Sequence, residues 1–147
     1  MLKEKIQQDL IAAMKQGEKT VVSTLRLLQS SIKNKEIALM REIDYQEVLG
    51  VIEREIKSRK EAAEGFASGG RDESAQKERE EAGILQKYLP EQLGEGEVKS
   101  IVDQTISEVG ATTISDMGKV MGALTPKLKG KADMATVSGL VKEKLQS

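Results

Sequence analysis

The amino-acid sequence predicts an all-α, multihelical protein, and two observations support this fold class. Charged residues make up 32% of the chain, and aliphatic residues recur at spacings of three and four, which is the pattern of helices that pack through one face. No segment has the composition and alternation of a convincing strand. We therefore expect an N-terminal helical subdomain followed by a C-terminal subdomain of three short helices.

Three of the N-terminal helices are predicted from their apolar spacing and their termination signals. The first two cover residues 2–16 and 19–39, and Gly17 between them readily adopts the left-handed conformation that ends a helix. Asp44 and Glu47 have the spacing of a capping box, which predicts a third helix that the stretch Ser68-Gly69-Gly70 ends. The predicted core positions within these helices are Leu2, Ile6, Leu10, Met14, Val21, Leu25, Leu28, Ile32, Val48, Ile52, Ile56 and Ala63.

A fourth helix is predicted from Asp72, as its N-cap, to Tyr88. Its acidic residues lie beside lysine and arginine at helical spacing and are predicted to form surface ion pairs. These acids are Glu78, Glu80 and Glu81. Residues 89–94 then break the helical periodicity with a proline and a glycine. We place the subdomain boundary there, which gives residues 1–90 and 91–147.

The C-terminal part is predicted to contain helices over about 95–109, 114–125 and 133–146, the last capped by Asp133. Charge is divided unevenly along it. Residues 91–117 carry six acids and one lysine, whereas residues 118–144 carry six lysines and two acids. Such a basic segment attracts polyanions even though the net charge of the chain is only −1.

The composition excludes several classes of protein. The chain has no cysteine and no histidine, so thiol catalysis, imidazole-dependent triads and the usual zinc sites are absent, and we predict no catalytic residue, metal or cofactor. Aromatic residues are only 2%, which argues against stacking of successive bases. Gly118-Lys119 is not a phosphate loop, because Thr113 and Val120 occupy the positions that need a glycine and a hydroxyl.

Two further features leave alternatives open. Gly118 and Gly122 share a helix face, where the lack of side chains permits close approach by a neighbouring helix or by a phosphate backbone. Packing against a neighbouring helix is the favoured interpretation. A second basic stretch over residues 15–35 extends an anion-binding surface or forms a solvated face, and the solvated face is favoured. It contains Lys15, Lys19, Arg26, Lys33 and Lys35 against Glu18 alone.

Several separated motifs, taken in order and spacing, resemble the GatB/YqeY family. They are Tyr88-Leu89-Pro90-x-Gln92-Leu93, Asp116-Met117-Gly118-Lys119-Val120-Met121, Lys129-Gly130-Lys131-Ala132-Asp133 and Val141-Lys142-x-Lys144-Leu145. The resemblance covers essentially the whole chain and is closest to the small free-standing YqeY proteins. The C-terminal half is similar to the tail of the B subunit of the glutamine-dependent aspartyl/glutamyl-tRNA amidotransferase. The resemblance implies an all-helical fold in two parts, an N-terminal helical portion over about residues 1–90 and a C-terminal three-helix bundle over about 91–147.

The resemblance also implies a function. The amidotransferase tail engages the body of the tRNA while catalysis occurs elsewhere, so tRNA or a tRNA–protein complex is the implied partner. The large catalytic part of that subunit has no counterpart here, so its amide-transfer chemistry is not carried over. Together with the basic segment, the resemblance gives these RNA-binding candidates: Gly118, Lys119, Lys127, Lys129, Gly130, Lys131, Lys142 and Lys144.

Three functions therefore remain open from the sequence. The first is a non-catalytic tRNA-binding or amidotransferase-related accessory protein, and the second is an adaptor that binds a protein partner through apolar helix grooves. The third is carbon–nitrogen ligase activity with glutamine as the amide donor, which the missing bases and nucleotide loops disfavour. No segment approaches 18 uninterrupted apolar residues and the N-terminus lacks a signal peptide, so we expect a cytoplasmic protein with no membrane partner.

Overall fold

The computed structural model describes residues 1–146, and every regular element in that range is helical, which confirms the all-α prediction. A short 3-10 turn, Ile114–Asp116, precedes the sixth of seven α-helices. The helices are α1 (Leu2–Gln16), α2 (Lys19–Leu39), α3 (Tyr45–Ser68), α4 (Asp72–Gln86), α5 (Glu95–Val109), α6 (Met117–Leu128) and α7 (Met134–Gln146). The chain separates into two compact units, Met1–Leu89 and the residues from Pro90 onward.

The first unit packs α1 to α4 around an aliphatic core. The buried members are Ile6, Leu10, Leu25, Leu28, Ile32, Ile43, Val48, Ile52, Ile56, Ala82 and Leu85. Met14 was predicted to belong to this core, but its side chain is largely exposed. A spacing of four residues drifts by about 40° per step around a helix, so the fourth member of the Leu2 series leaves the buried face. Ala13 is buried in its place.

The ends of α3 and α4 show where local signals determine a helix start. Asp44 Oδ1 accepts the N–H of Glu47 at 2.9 Å and Glu47 Oε1 accepts the N–H of Asp44 at 3.1 Å, so the predicted capping box forms. The predicted Asp72 cap is wrong, because Arg71 occupies the cap position and Asp72 is the first helical residue. Its carboxylate lies in the first turn, where the helix dipole favours an anion. Helix α4 ends at Gln86, two residues before Tyr88.

Glu81 lies in the interior between α3 and α4, which contradicts its predicted role in a surface ion pair. Its carboxylate accepts a hydrogen bond from Arg59 Nη1, and Glu78 Oε2 lies 3.6 Å from the same nitrogen. The side chains of Arg59 and Glu81 are both about nine-tenths buried. Buried charges persist when they are paired, and the partner of Glu81 is on another helix, where sequence spacing cannot reveal it.

The second unit packs α5, α6 and α7 around its own core. Its buried members are Val98, Val102, Val120, Leu124, Leu128, Val137, Val141 and Leu145. Helix α6 begins at Met117 and continues to Leu128, beyond the predicted end at residue 125 and past Pro126. The complete burial of Leu128 explains the extra turn. Asp133 Oδ1 accepts the N–H of Ala135 at 3.2 Å, which confirms Asp133 as a capping residue.

The described helices include none that is both long enough and apolar enough to cross a bilayer.

Candidate nucleic-acid interface

The start of α6 is held by Asp116, whose carboxylate closes the preceding turn. Asp116 Oδ2 accepts the backbone N–H of Thr112 at 2.9 Å and that of Thr113 at 3.2 Å. These two hydrogen bonds, with a smaller contribution from the positive charge of Lys119, lower the pKa of Asp116 below its usual value. Asp116 is therefore an anion near neutral pH and fixes the backbone that leads into Gly118 and Lys119.

Gly118 and Gly122 form an open stripe on α6. Both are exposed, and a Cβ atom placed on either would have no atom within 4 Å, apart from the backbone of its own helix and its chain neighbours. The favoured interpretation, close packing against a neighbouring helix, is therefore wrong. The other alternative, close approach by a phosphate backbone, stays open, because the helix backbone is exposed at both glycines. Lys119 follows Gly118 directly and lies three residues before Gly122, so its side chain borders this face.

Lys127 belongs to the last turn of α6 and not to an exposed basic loop. Its Nζ atom donates to Thr105 Oγ1 and lies within hydrogen-bonding distance of Glu108 Oε2, both at 3.1 Å. Thr105 is fully buried, so the ammonium group also satisfies a hydroxyl in the core. The Lys127 side chain therefore helps to hold α6 against α5.

Lys144 also faces an acid of α5, because its Nζ atom lies 3.3 Å from Asp103 Oδ1. The acidic and basic segments that the sequence separates along the chain are therefore partly brought together in the second unit. Each such pair reduces the charge that this part of the molecule presents to a polyanion.

Gly130 lies in the turn between α6 and α7 and is buried, with a φ of 80° that favours glycine. Its carbonyl accepts the side-chain amide of Gln92 at 2.5 Å. The N–H of Leu93 donates to the carbonyl of Lys131 at 2.9 Å. Two of the motifs that define the family resemblance therefore meet in space, and the Gly130 carbonyl is used inside the protein.

The eight candidate residues are thus placed in different surroundings. Lys127 and Lys144 are paired with acids, Gly130 is buried, and Lys129 is only partly exposed. The remaining candidates are exposed on α6, on α7 and in the turn between them. They are Gly118, Lys119, Lys131 and Lys142, and we add Gly122, which lies one helical turn after Gly118 on α6. We refer to these five residues as the open face.

Sequence reasoning missed the residues that hold this arrangement. Thr105, Glu108 and Asp103 carry no local signal, because their lysine partners lie on other helices. Gln92 was visible as a motif residue, but only the structure connects its amide to Gly130. Within residues 1–146, no group of three or more carboxylates is arranged to hold a metal ion.

Comparison of the sequence with known proteins identifies one family and several relatives. The family described as "Yqey-like protein" matches residues 3–145. A protein of Pyrenophora tritici-repentis named "Altered inheritance of mitochondria protein 41, mitochondrial" is 28% identical over 95% of this chain and 78% of its own length. A protein of the same name from Eremothecium gossypii is 34% identical over 57% of this chain, a match that spans 46% of that relative. An uncharacterised protein of Schizosaccharomyces pombe is 34% identical over 58% of this chain and 70% of its own length.

These names correct one prediction from the sequence. Both named relatives are described as mitochondrial, which contradicts the expected cytoplasmic location. The sequence-based expectation used only the absence of a signal peptide and of long apolar segments, and neither feature distinguishes these two compartments.

Proposed function

Because the chain belongs to the YqeY-like protein family, we propose that it is a non-catalytic accessory protein that binds tRNA, alone or in a tRNA–protein complex, through the open face. The observation that carries this proposal is the open space at Gly118 and Gly122 beside the exposed Lys119, because no other atom of the described residues lies within 4 Å of a Cβ placed on either glycine, apart from the backbone of its own helix and its chain neighbours. The similarity of the C-terminal half to the amidotransferase tail supplies the kind of ligand.

The chemistry of the open face suits a sugar–phosphate backbone. Exposed helical glycines let a ligand approach within van der Waals distance of the helix, and Lys119 beside them supplies a positive charge. Lys131 and Lys142 add exposed charges from the turn and from α7. None of the five residues is aromatic, so this face contacts the phosphates and follows the shape of the RNA backbone but does not stack on bases.

The test compares two double variants that remove the same charge from the same two helices. Lys119→Gln with Lys142→Gln changes exposed lysines of α6 and α7, whereas Lys127→Gln with Lys144→Gln changes lysines that are paired with acids. Binding of each full-length protein to total tRNA is measured over a series of salt concentrations. We expect the first variant to weaken binding and to reduce the slope of log K against log salt by about 0.7 to 0.9 per lost phosphate contact.

The second variant is the matched control and should keep a salt slope close to that of the unmodified protein. Circular dichroism checks that both variants remain folded, which matters for Lys127 because it satisfies a buried threonine. Equal losses in the two variants would mean that net charge and not the open face attracts the RNA. Unchanged affinity in the first variant would reject the proposed interface.

A further inference from the structure

A second basic surface lies on the first unit, on the outer side of α1 and α2. Lys15, Lys19, Arg26 and Lys33 are all exposed there, and successive members of the α2 set are seven residues apart and share one stripe. In the described part of the chain, none of these four lies within ion-pair distance of a carboxylate. The one acid inside α2, Glu36, is bound to Lys3 at 2.7 Å. Glu18, in the turn between α1 and α2, is the one acid beside these four residues, so this surface keeps a net positive charge.

An apolar groove runs beside these charges. It has a volume of about 680 Å³, and its lining includes Met14, Val22 and Leu27, with Lys19 and Arg26 among the same residues. Met14 and Leu27 are 52% and 54% exposed, and Ile11, one helical turn before Met14, is 43% exposed. Clustered exposure of large apolar side chains inside a charged rim is typical of a protein interaction surface.

We propose that this groove docks an acidic amphipathic helix of a partner protein. Apolar side chains of that helix contact Met14 and Leu27, and its Asp or Glu residues face Lys19 and Arg26. The groove is continuous with the turn at Gly17, which ends α1 and carries no side chain into it. Burial of the exposed apolar side chains supplies affinity, and the unneutralised basic rim selects a partner of opposite charge.

The observations favour this occupant over two others. A symmetric contact with a second copy of the chain would place the same basic rim against itself, and like charges would repel. An RNA backbone gains nothing from an apolar lining, and the groove contains no aromatic ring on which a base could stack. The open face of the second unit has the reverse character, with exposed glycine and lysine and no large apolar side chain.

The test uses the full-length protein and two synthetic peptides of about 18 residues, a length that forms a helix of roughly 27 Å. Both peptides carry leucines on one helical face. In one, glutamates flank the leucines, and in the other every glutamate is replaced by lysine. Fluorescence anisotropy of the labelled peptides should show binding of the acidic peptide and at least about tenfold weaker binding of the basic one.

Two sets of variants then locate the contact. Met14→Gln with Leu27→Gln should weaken binding of the acidic peptide by about tenfold or more, because two apolar contacts are lost. Ile37→Gln is the control, since Ile37 is 65% exposed on the same helix but does not line the groove. Lys19→Gln with Arg26→Gln should also weaken binding, whereas Lys57→Gln with Lys60→Gln removes two exposed lysines of α3 and should not.

Each other outcome overturns the proposal. Equal binding of the two peptides, or no binding of the acidic one, would exclude a charge-selected helix. Groove variants that bind the acidic peptide like the unmodified protein would exclude this location. If those variants instead lose affinity for total tRNA or for vesicles of anionic phospholipid, the surface binds RNA or a membrane. The groove variants leave the open face intact, so the outcome is independent of the tRNA experiment.

Discussion

A glycine within an exposed helix lowers its stability, and α6 contains two at Gly118 and Gly122. Helical glycine costs roughly 0.5–1 kcal/mol relative to alanine, and the open space at both positions would accept a side chain without a clash. Nothing in the packing of the described residues requires glycine there. A binding partner that must come close to the backbone does supply a reason.

Replacing Gly122 with glutamine should therefore separate stability from function. We expect the free energy of unfolding to rise by a few tenths of a kcal/mol to about 1 kcal/mol, because a better helix former replaces glycine. We expect affinity for tRNA to fall, because the new side chain occupies the space that the phosphate backbone needs. Thermal unfolding and tRNA titration of the same preparation measure both effects.

Gly83 in α4 provides the matched control for this change. Gly83 is also an exposed helical glycine, and no atom of the described residues lies near the position of its Cβ, but it belongs to the first unit and is not part of the open face. Gly83→Gln should stabilise the protein to a similar degree and leave tRNA binding unchanged. A Gly122→Gln variant that binds tRNA as well as the unmodified protein would show that the glycine face is not used.

At the scale of a helix, the start of α3 combines a capping box with an ion pair. Arg41 donates to both carboxylate oxygens of Glu47, at 2.8 and 2.9 Å, while Glu47 accepts the N–H of Asp44. Hydrogen bonds from Arg41 and from that N–H, in this order, lower the pKa of Glu47 to about 2. The charged carboxylate therefore stabilises the folded form of this helix start.

The pH dependence follows from the direction of that shift. The unfolded chain has a glutamate pKa of about 4.3, so the contribution of Glu47 is fully present above that pH and is lost as the pH falls towards about 2. We expect Glu47→Gln to lower the thermal midpoint of unfolding at neutral pH. The difference in midpoint between the variant and the unmodified protein should become smaller as the pH falls through this window. Glu61→Gln, a substitution of an exposed acid in the interior of α3, is the control. A difference that stays constant between neutral pH and pH ~2 would contradict the assignment.

Helix boundaries were predictable where the signal is local. Gly17 adopts the left-handed conformation at the end of α1, and Asp44 with Glu47 opens α3. The end of α6 was not predictable from local sequence. Leu128 extends the helix because its side chain is buried in a core to which α5 and α7 contribute. The burial of Glu81 escaped prediction for the same reason, since Arg59 lies 22 residues away.

The candidate site was predictable as a set of residue types but not as a surface. The local excess of lysine identified the basic segment, yet the pairing of Lys127 with Glu108 and of Lys144 with Asp103 depends on how α5 packs against α6 and α7. Open space at a glycine is likewise a property of the packed bundle, which sequence does not contain. Only the structure therefore separates the open face from lysines that neutralise the protein's own acids.

For the whole molecule, a net charge of −1 conceals two basic surfaces of different chemistry. One lies on the first unit beside an apolar groove, and the other lies on the second unit beside exposed glycines. Each unit has a separate aliphatic core, so neither surface depends on the core of the other unit. The two proposed binding surfaces therefore belong to different units and can be tested separately.

We predict that the two activities separate when the chain is divided at the boundary between the units. Residues 90–147 should unfold cooperatively when expressed alone, with a stability of no more than about 3–5 kcal/mol, because a core of this size in so short a chain supplies little more. This fragment should keep the salt-dependent binding of tRNA, and residues 1–89 should keep the binding of the acidic peptide. Thermal unfolding by circular dichroism and the two titrations measure these properties. Two folded fragments that both bind tRNA with the affinity of the whole chain would contradict the division, since the RNA would then be attracted by positive charge wherever it occurs.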